Sequence, residues 1–243
     1  MKKDEIVNLK NQWIKLVAKY TEDQIIILQG FESIKNFYQS TGRYYHDLSH
    51  IENMLSTVEI DKIKFDDLDS VFFAIWFHDI IYNVKRSDNE EKSADLAEMF
   101  LNKINYDFRK INKIRQMIIK TKNHQVDEKN DNFDTKLFLD LDLLILGEDS
   151  DVYQRYAENI RKEYSIVPDQ IYFAERAKIL DHFLKQRKIF KTKKFNDVYE
   201  TIARRNIQTE INDILKYKSS LKFSNLSLFY HYFFRRGYHG GGI

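Results

Sequence analysis

Two of the seven histidines in this 243-residue chain lie four apart, in His46-Asp47-Leu48-Ser49-His50. If a helix runs through them, that spacing puts both imidazoles on one face. A third, His78, is followed by Asp79 inside the most apolar stretch of the sequence, Phe72-Phe73-Ala74-Ile75-Trp76-Phe77-His78-Asp79-Ile80-Ile81. An ionised aspartate buried there is costly unless it is paired or bound to a cation. Carboxylates intrude again in Leu139-Asp140-Leu141-Asp142-Leu143-Leu144, and His124 stands at the end of a helical pattern before the polar stretch Asp127 to Asp134. The chain contains no cysteine, which excludes disulfides, thiolate zinc sites and a cysteine nucleophile. Imidazole nitrogen and carboxylate oxygen suit one divalent ion of the Mn²⁺, Fe²⁺, Co²⁺, Ni²⁺, Zn²⁺ or Mg²⁺ type. Consecutive helical residues diverge by about 100°, so His78 and Asp79 can take adjacent positions around one ion. His50 and either Asp140 or Asp142 would complete a four-donor set with room for water and substrate, the arrangement of a catalytic rather than a closed structural site.

The elements that must position these residues read as helices. Only Gly30, Gly42 and Gly147, with the single proline Pro168, serve the first 236 residues, too few turn-formers for a sandwich, a barrel or a glycine-rich phosphate loop. Apolar residues recur at helical spacing in Ile6-Leu9-Trp13-Leu16-Val17, in Ile25-Leu28-Phe31-Ile34-Tyr38, and in Leu48-Ile51-Met54-Leu55. Leu68 to Ile81 is nearly apolar all round and predicts a helix in the middle of a bundle. Ser87-Asp88-Asn89-Glu90-Glu91 has capping-box spacing. Asp127 to Asp134 predicts a loop, and Leu137 to Leu146 a short buried element ended by Gly147. Further helices follow through Tyr153, Ile171 and Val198. The expectation is an all-α, single-domain helical bundle over residues 1–228, with a motif-bearing core at about 43–147, C-terminal helices at about 150–218, and an irregular tail at 229–243.

The ordered set His50, His78-Asp79 and a later aspartate resembles the H…HD…D pattern of the HD superfamily of metal-dependent phosphohydrolases. The similarity extends to Arg43-Tyr44-Tyr45-His46-Asp47-Leu48-Ser49-His50-Ile51, to Trp76-Phe77-His78-Asp79-Ile80-Ile81-Tyr82, and to Asn89-Glu90-Glu91-Lys92-Ser93-Ala94. Asp140-Leu141-Asp142-Leu143-Leu144-Ile145-Leu146-Gly147 and Ala203-Arg204-Arg205-Asn206 also fit one branch of predicted HD phosphohydrolases. The resemblance implies a helical bundle of the HD-domain type and a divalent metal held by His50, His78, Asp79 and Asp142, with Asp140 second to Asp142. Some HD proteins add histidines for two metals and oxygenase chemistry. Between Asp79 and Asp142 only His124 is available, which disfavours that pattern.

These readings lead to an expected metal-dependent phosphohydrolase that uses activated water on a small phosphorylated compound, plausibly a nucleotide. Arg43 is the expected phosphate clamp, and His46 or His124 would move a proton or orient substrate. Glu90 would accept a hydrogen bond from a ligating imidazole. The alternatives are a non-catalytic metal- or nucleotide-binding sensor and, behind it, a nucleic-acid-binding helical protein. That last reading rests on eleven Lys/Arg against four Asp/Glu between Lys185 and Lys222, a pattern that ordinarily marks a solvated face. No apolar run is long enough to span a bilayer, and Met1-Lys2-Lys3-Asp4-Glu5 lacks the apolar run of a signal peptide, so a cytoplasmic protein is expected. The sequence leaves homo-oligomerisation open.

Overall fold

The computed structural model describes residues 3–60, 63–127 and 129–220, so the expected tail at 229–243 lies outside the described residues. Every regular element described is helical. In chain order they are α1 (Lys3–Val17), α2 (Gln24–Tyr38), α3 (Leu48–Ile60), α4 (Leu68–Phe77), α5 (Asn89–Lys103), α6 (Phe108–Lys120) and α7 (Phe133–Asp142). A 3-10 helix (Leu143–Gly147) follows, then α8 (Ser150–Glu163), α9 (Asp169–Lys185) and α10 (Lys193–Ser220). No helix among the described residues is long and apolar enough to cross a membrane. The described residues group into two compact units, one of residues 3–82 with Asp88–Asp142, the other of Asn83–Ser87 with residues 143–220.

In the first unit α4 is the middle helix, packed against α3, α5, α6 and α7. That environment explains its all-round apolarity: Val71 and Phe73 to Phe77 are all buried. Trp13 of α1 meets Trp76 edge-on at 5.5 Å, and its indole N–H donates to the Ile27 carbonyl at 2.8 Å. A methyl group on Gly30 would come within 2.9 Å of the Trp13 ring and 2.7 Å of Phe100, so the bare backbone of α2 is what admits both rings.

Several element boundaries differ from the sequence expectation, each for a local reason. α4 stops at Phe77 rather than running to Ile81, because the Asp79 N–H goes to the Tyr38 hydroxyl and the Ile81 N–H to the Ser93 hydroxyl instead of to the carbonyls four residues back, while Arg43 takes the Asp79 and Ile80 carbonyls. α3 begins at Leu48, so His46 precedes the helix and does not share a helical face with His50. α6 ends at Lys120, leaving His124 beyond the helix rather than at its end. α7 begins at Phe133, inside the stretch expected as loop, because the Asn132 side chain accepts from the Thr135 N–H and hydroxyl in the manner of a cap. At α5 the cap position falls to Asp88, whose side chain makes no cap hydrogen bond, so the expected capping box does not form.

One buried carboxylate registers α7 against the start of α4. Asp134 is 1% exposed, and its two oxygens accept from the backbone N–H groups of Asp66 and Asp67, each at 2.9 Å. Asp67 in turn caps α4 through the Ser70 N–H and hydroxyl.

In the second unit α10 packs on α9 and on the 3-10 helix, which also contacts α8. A Cβ on Gly147 would stand 2.6 Å from Tyr199 Cβ, so this glycine is required by the close approach of α10. Asn206 of α10 donates to the Leu146 and Glu148 carbonyls at 3.0 and 2.8 Å. Arg204 donates to the Leu184 and Gln186 carbonyls at 2.9 and 2.8 Å, capping the end of α9. Part of the basic excess of this region is therefore committed to internal carbonyls.

Replacing Asp134 by alanine removes two charge-assisted hydrogen bonds and leaves two backbone donors without their acceptor. The expected loss is about 2–4 kcal/mol in urea denaturation, with Asp134→Asn recovering part of it.

Candidate metal centre

The first unit brings four donor atoms together from three separate stretches of chain. His50 lies in the first turn of α3, His78 caps the C-terminus of α4, Asp79 follows in the turn, and Asp142 closes α7. One donor atom from each lies within 4.8 Å of the other three, and the group could hold a metal ion. His78 Nε2 is 3.0 Å from Asp79 Oδ2, 3.4 Å from Asp142 Oδ1 and 3.1 Å from His50 Nε2. His50 Nε2 is also 3.1 Å from Asp142 Oδ1 and 4.0 Å from Asp79 Oδ2.

The chemistry of the donors fits a cation. His78 Nδ1 lies 2.9 Å from the Ile75 carbonyl, which can only accept, so this nitrogen carries the proton and Nε2 is the coordinating atom. His78 is 1% exposed. Two carboxylates and two imidazole nitrogens converge with little access to water, and their mutual repulsion is relieved only by positive charge among them. Burial by itself would push His78 down, but the charges of Asp79 and Asp142 outweigh it and hold the imidazolium well above the usual histidine range. Burial would likewise raise both aspartates. For Asp79 the charges of His78 and then His46 prevail, and for Asp142 the charge of His78 with hydrogen bonds to His124 and His50 does so; both carboxyls lie below their ordinary range. A positive charge at the centre of the group is the common cause, and a divalent ion supplies the same field more strongly than a proton.

His124 is outside the four donors but touches one of them: its Nε2 lies 2.8 Å from Asp142 Oδ2, the oxygen turned away from His50. Its backbone is left-handed, with φ of 51°, a conformation uncommon for a non-glycine residue. The histidine is buried and fixes which Asp142 oxygen faces the group. His46 is buried too, stacked on Tyr82 at 4.1 Å with its ring centroid 6.3 Å from that of His50. Asp140 is fully buried and does not belong to the four-donor group.

Arg43, expected as a phosphate clamp, donates from NH1 to the carbonyls of His46 and Asp79 at 2.8 and 2.7 Å, and from NH2 to that of Ile80 at 2.8 Å. Its guanidinium lies over the ring of Tyr38 at 4.9 Å. In this arrangement it ties the approach to α3 to the turn after α4, holding together two of the segments that carry donors. Glu90 is buried, and its carboxyl is raised by burial, against the opposing pull of its own backbone N–H and of Lys122; the charge of Asp79 adds to the rise. The Lys122 ammonium stands 3.9 Å from it.

Two contributors carried no chemical mark in the sequence. The Tyr38 hydroxyl accepts from the Asp79 N–H at 3.2 Å, and the Ile75 carbonyl orients His78. Tyr38 belongs to an apolar stripe like any core residue, and a backbone carbonyl has no side-chain identity to detect. No known family model matches the chain, and no curated protein matches its sequence.

His78 Nε2 must lose its proton before it can coordinate, and the raised affinity of the imidazole for that proton makes the competition severe below neutral pH. Metal affinity is therefore expected to climb with pH between 6 and 8, by about tenfold per unit for one displaced proton. Competition titrations against a chromophoric chelator at pH 6, 7 and 8 measure the slope, and a flat profile would remove His78 from the donor set.

Proposed function

We propose that this protein is a metal-dependent phosphohydrolase acting on a phosphate ester or anhydride of a small molecule, with nucleotides the first class to test. The observation that carries the reading is the convergence of His50, His78, Asp79 and Asp142 on one point. Its support from the sequence is the order and flanks of those residues, which resemble the HD superfamily pattern. Two imidazoles and two carboxylates without sulfur form a hard-to-borderline donor set that leaves coordination positions for water and a phosphoryl oxygen on Mn²⁺, Fe²⁺, Co²⁺, Ni²⁺ or Zn²⁺. A divalent ion bound there supplies Lewis acidity, which acidifies water and polarises a phosphoryl group.

The surrounding residues have distinct tasks in this reading. Ile75 holds His78 in the tautomer that presents Nε2. His124 holds Asp142, and its imidazole, 2.8 Å from Asp142 Oδ2, is one group outside the four donors that can carry a proton. His46, whose charge reaches Asp79, is the second such group. Arg43 acts by position, since its N–H groups stabilise the two turns that deliver His50 and Asp79.

Elemental analysis of wild type beside folded His78→Ala is the direct test. About one ion per chain is expected in the wild type and none in the variant. Phosphate release from a nucleotide panel should depend on added metal and fall by at least about a hundredfold in the variant. Full release by His78→Ala would sink the hydrolase reading, whereas stoichiometric metal without turnover on any substrate would leave a metal-binding sensor.

A further inference from the structure

A cavity of about 980 Å³ lies among α8, α9 and α10, wholly within the second unit, and the chemistry assigned above makes no use of it. Its volume is at the upper end of the range of small-molecule sites. We propose that it binds a planar heteroaromatic ligand carrying an anionic group, the chemistry presented by a nucleoside monophosphate.

The polar floor is complete without a ligand. Arg176, buried, donates from Nε and NH2 to the two oxygens of Glu210 at 2.8 and 3.1 Å, and the Tyr153 hydroxyl donates to the same carboxylate at 2.5 Å. A paired, hydrogen-bonded floor of this kind is rigid and does not itself seek a counter-ion. One wall is aromatic. Tyr172 meets Phe173 at 5.2 Å and Phe173 meets Tyr217 at 4.8 Å, while the Arg161 guanidinium lies over the Tyr172 ring at 4.7 Å. Such a wall suits a flat ring and discriminates little among them.

Two largely buried side chains of the lining each carry a polar atom without a hydrogen-bond partner among the described residues. Asn206 is 4% exposed; both of its amide hydrogens are committed to the Leu146 and Glu148 carbonyls, and its Oδ1 has no partner among the described residues. An accepting oxygen held this firmly selects an N–H on the ligand, as a nucleobase edge offers. Tyr172 is 6% exposed, and its hydroxyl likewise has no hydrogen-bond partner among the described residues.

The charge of the lining points to an anion. Glu210 is paired with Arg176, Asp213 with Lys216 and Arg161 with Asp169, while Glu158 and Lys162 add one charge of each sign to the lining. Arg205 remains, exposed and without an ion pair among the described residues. It is the group available to a phosphate or carboxylate.

Equilibrium binding of adenosine 5′-monophosphate, adenosine and inorganic phosphate to the full chain tests this. The comparison uses wild type, Ala157→Phe, Thr209→Phe, Arg205→Ala and His78→Ala. Ala157 and Thr209 line the cavity, so a phenylalanine at either position fills it; Ala157→Phe removes no hydrogen bond, whereas Thr209→Phe also removes the hydroxyl's bond to the Arg205 carbonyl at 2.9 Å. Saturable binding of the monophosphate by wild type is expected, weakened at least about tenfold in each phenylalanine variant. Arg205→Ala should weaken the monophosphate by about tenfold and leave adenosine unchanged, while His78→Ala should bind like wild type. No saturable binding by wild type would overturn the proposal. So would binding untouched by both phenylalanine variants, or binding lost only in His78→Ala, which would assign the ligand to the metal centre instead.

Discussion

Two carboxylates and two imidazole nitrogens held within 4.8 Å of one another, mostly out of water, form a group that cannot be stable without positive charge at its centre. Much of the first unit follows from having to build and hold that group. The imidazolium of His78 supplies the charge, and the two aspartates it faces are the cause of its retention. The same balance defines what the group selects, because a cation that replaces the proton meets oriented donors and no competing solvent shell.

All four donors come from the ends of helices rather than from their middles. His50 opens α3, His78 and Asp79 follow the last turn of α4, and Asp142 closes α7. Helix ends carry backbone groups with no partner inside the helix, and each must be satisfied from elsewhere. Arg43 takes carbonyls in the turn after α4, Asp47 accepts from the Ser49 N–H in the first turn of α3, Tyr38 accepts from the Asp79 N–H, and Asp134 takes the two N–H groups that precede α4. The groups that stabilise the helix termini are thus also the groups that hold the donors, so stability and site geometry depend on the same hydrogen bonds.

The second unit is organised around a different interaction, the buried pair of Arg176 and Glu210. Tyr153 and Tyr156 complete its hydrogen bonding. A buried pair so fully satisfied contributes rigidity and a defined shape more than net stability. The basic residues of α10 divide in the same way. Arg204 is absorbed by the end of α9, and Lys193 pairs with Asp197 on the surface. Part of the local excess in the sequence is therefore taken up within the unit.

The amino-acid sequence by itself determined the helical class, since apolar spacing and the shortage of glycine and proline act locally and leave no other regular structure available. It also marked His78 with Asp79, and Asp140 or Asp142, because polar groups inside apolar runs are conspicuous wherever they end up; His50 was marked by its spacing from His46, and Asp142 was preferred to Asp140 only through the family resemblance. Where the helices stop was not legible. Apolar character continues past Phe77 to Ile81, and Tyr38 and Ser93, distant in sequence, draw the Asp79 and Ile81 N–H groups out of the helix. Nor could spacing decide the place of His46, which meets Tyr82 instead of sharing a face with His50, or that of His124, whose link to Asp142 spans eighteen residues. The contributions of Tyr38, Asp134 and the Ile75 carbonyl were equally invisible. Local pattern records which residues will be buried, but the partner of a buried polar group is chosen by whichever segment the fold brings within hydrogen-bonding distance, and only the tertiary structure decides that.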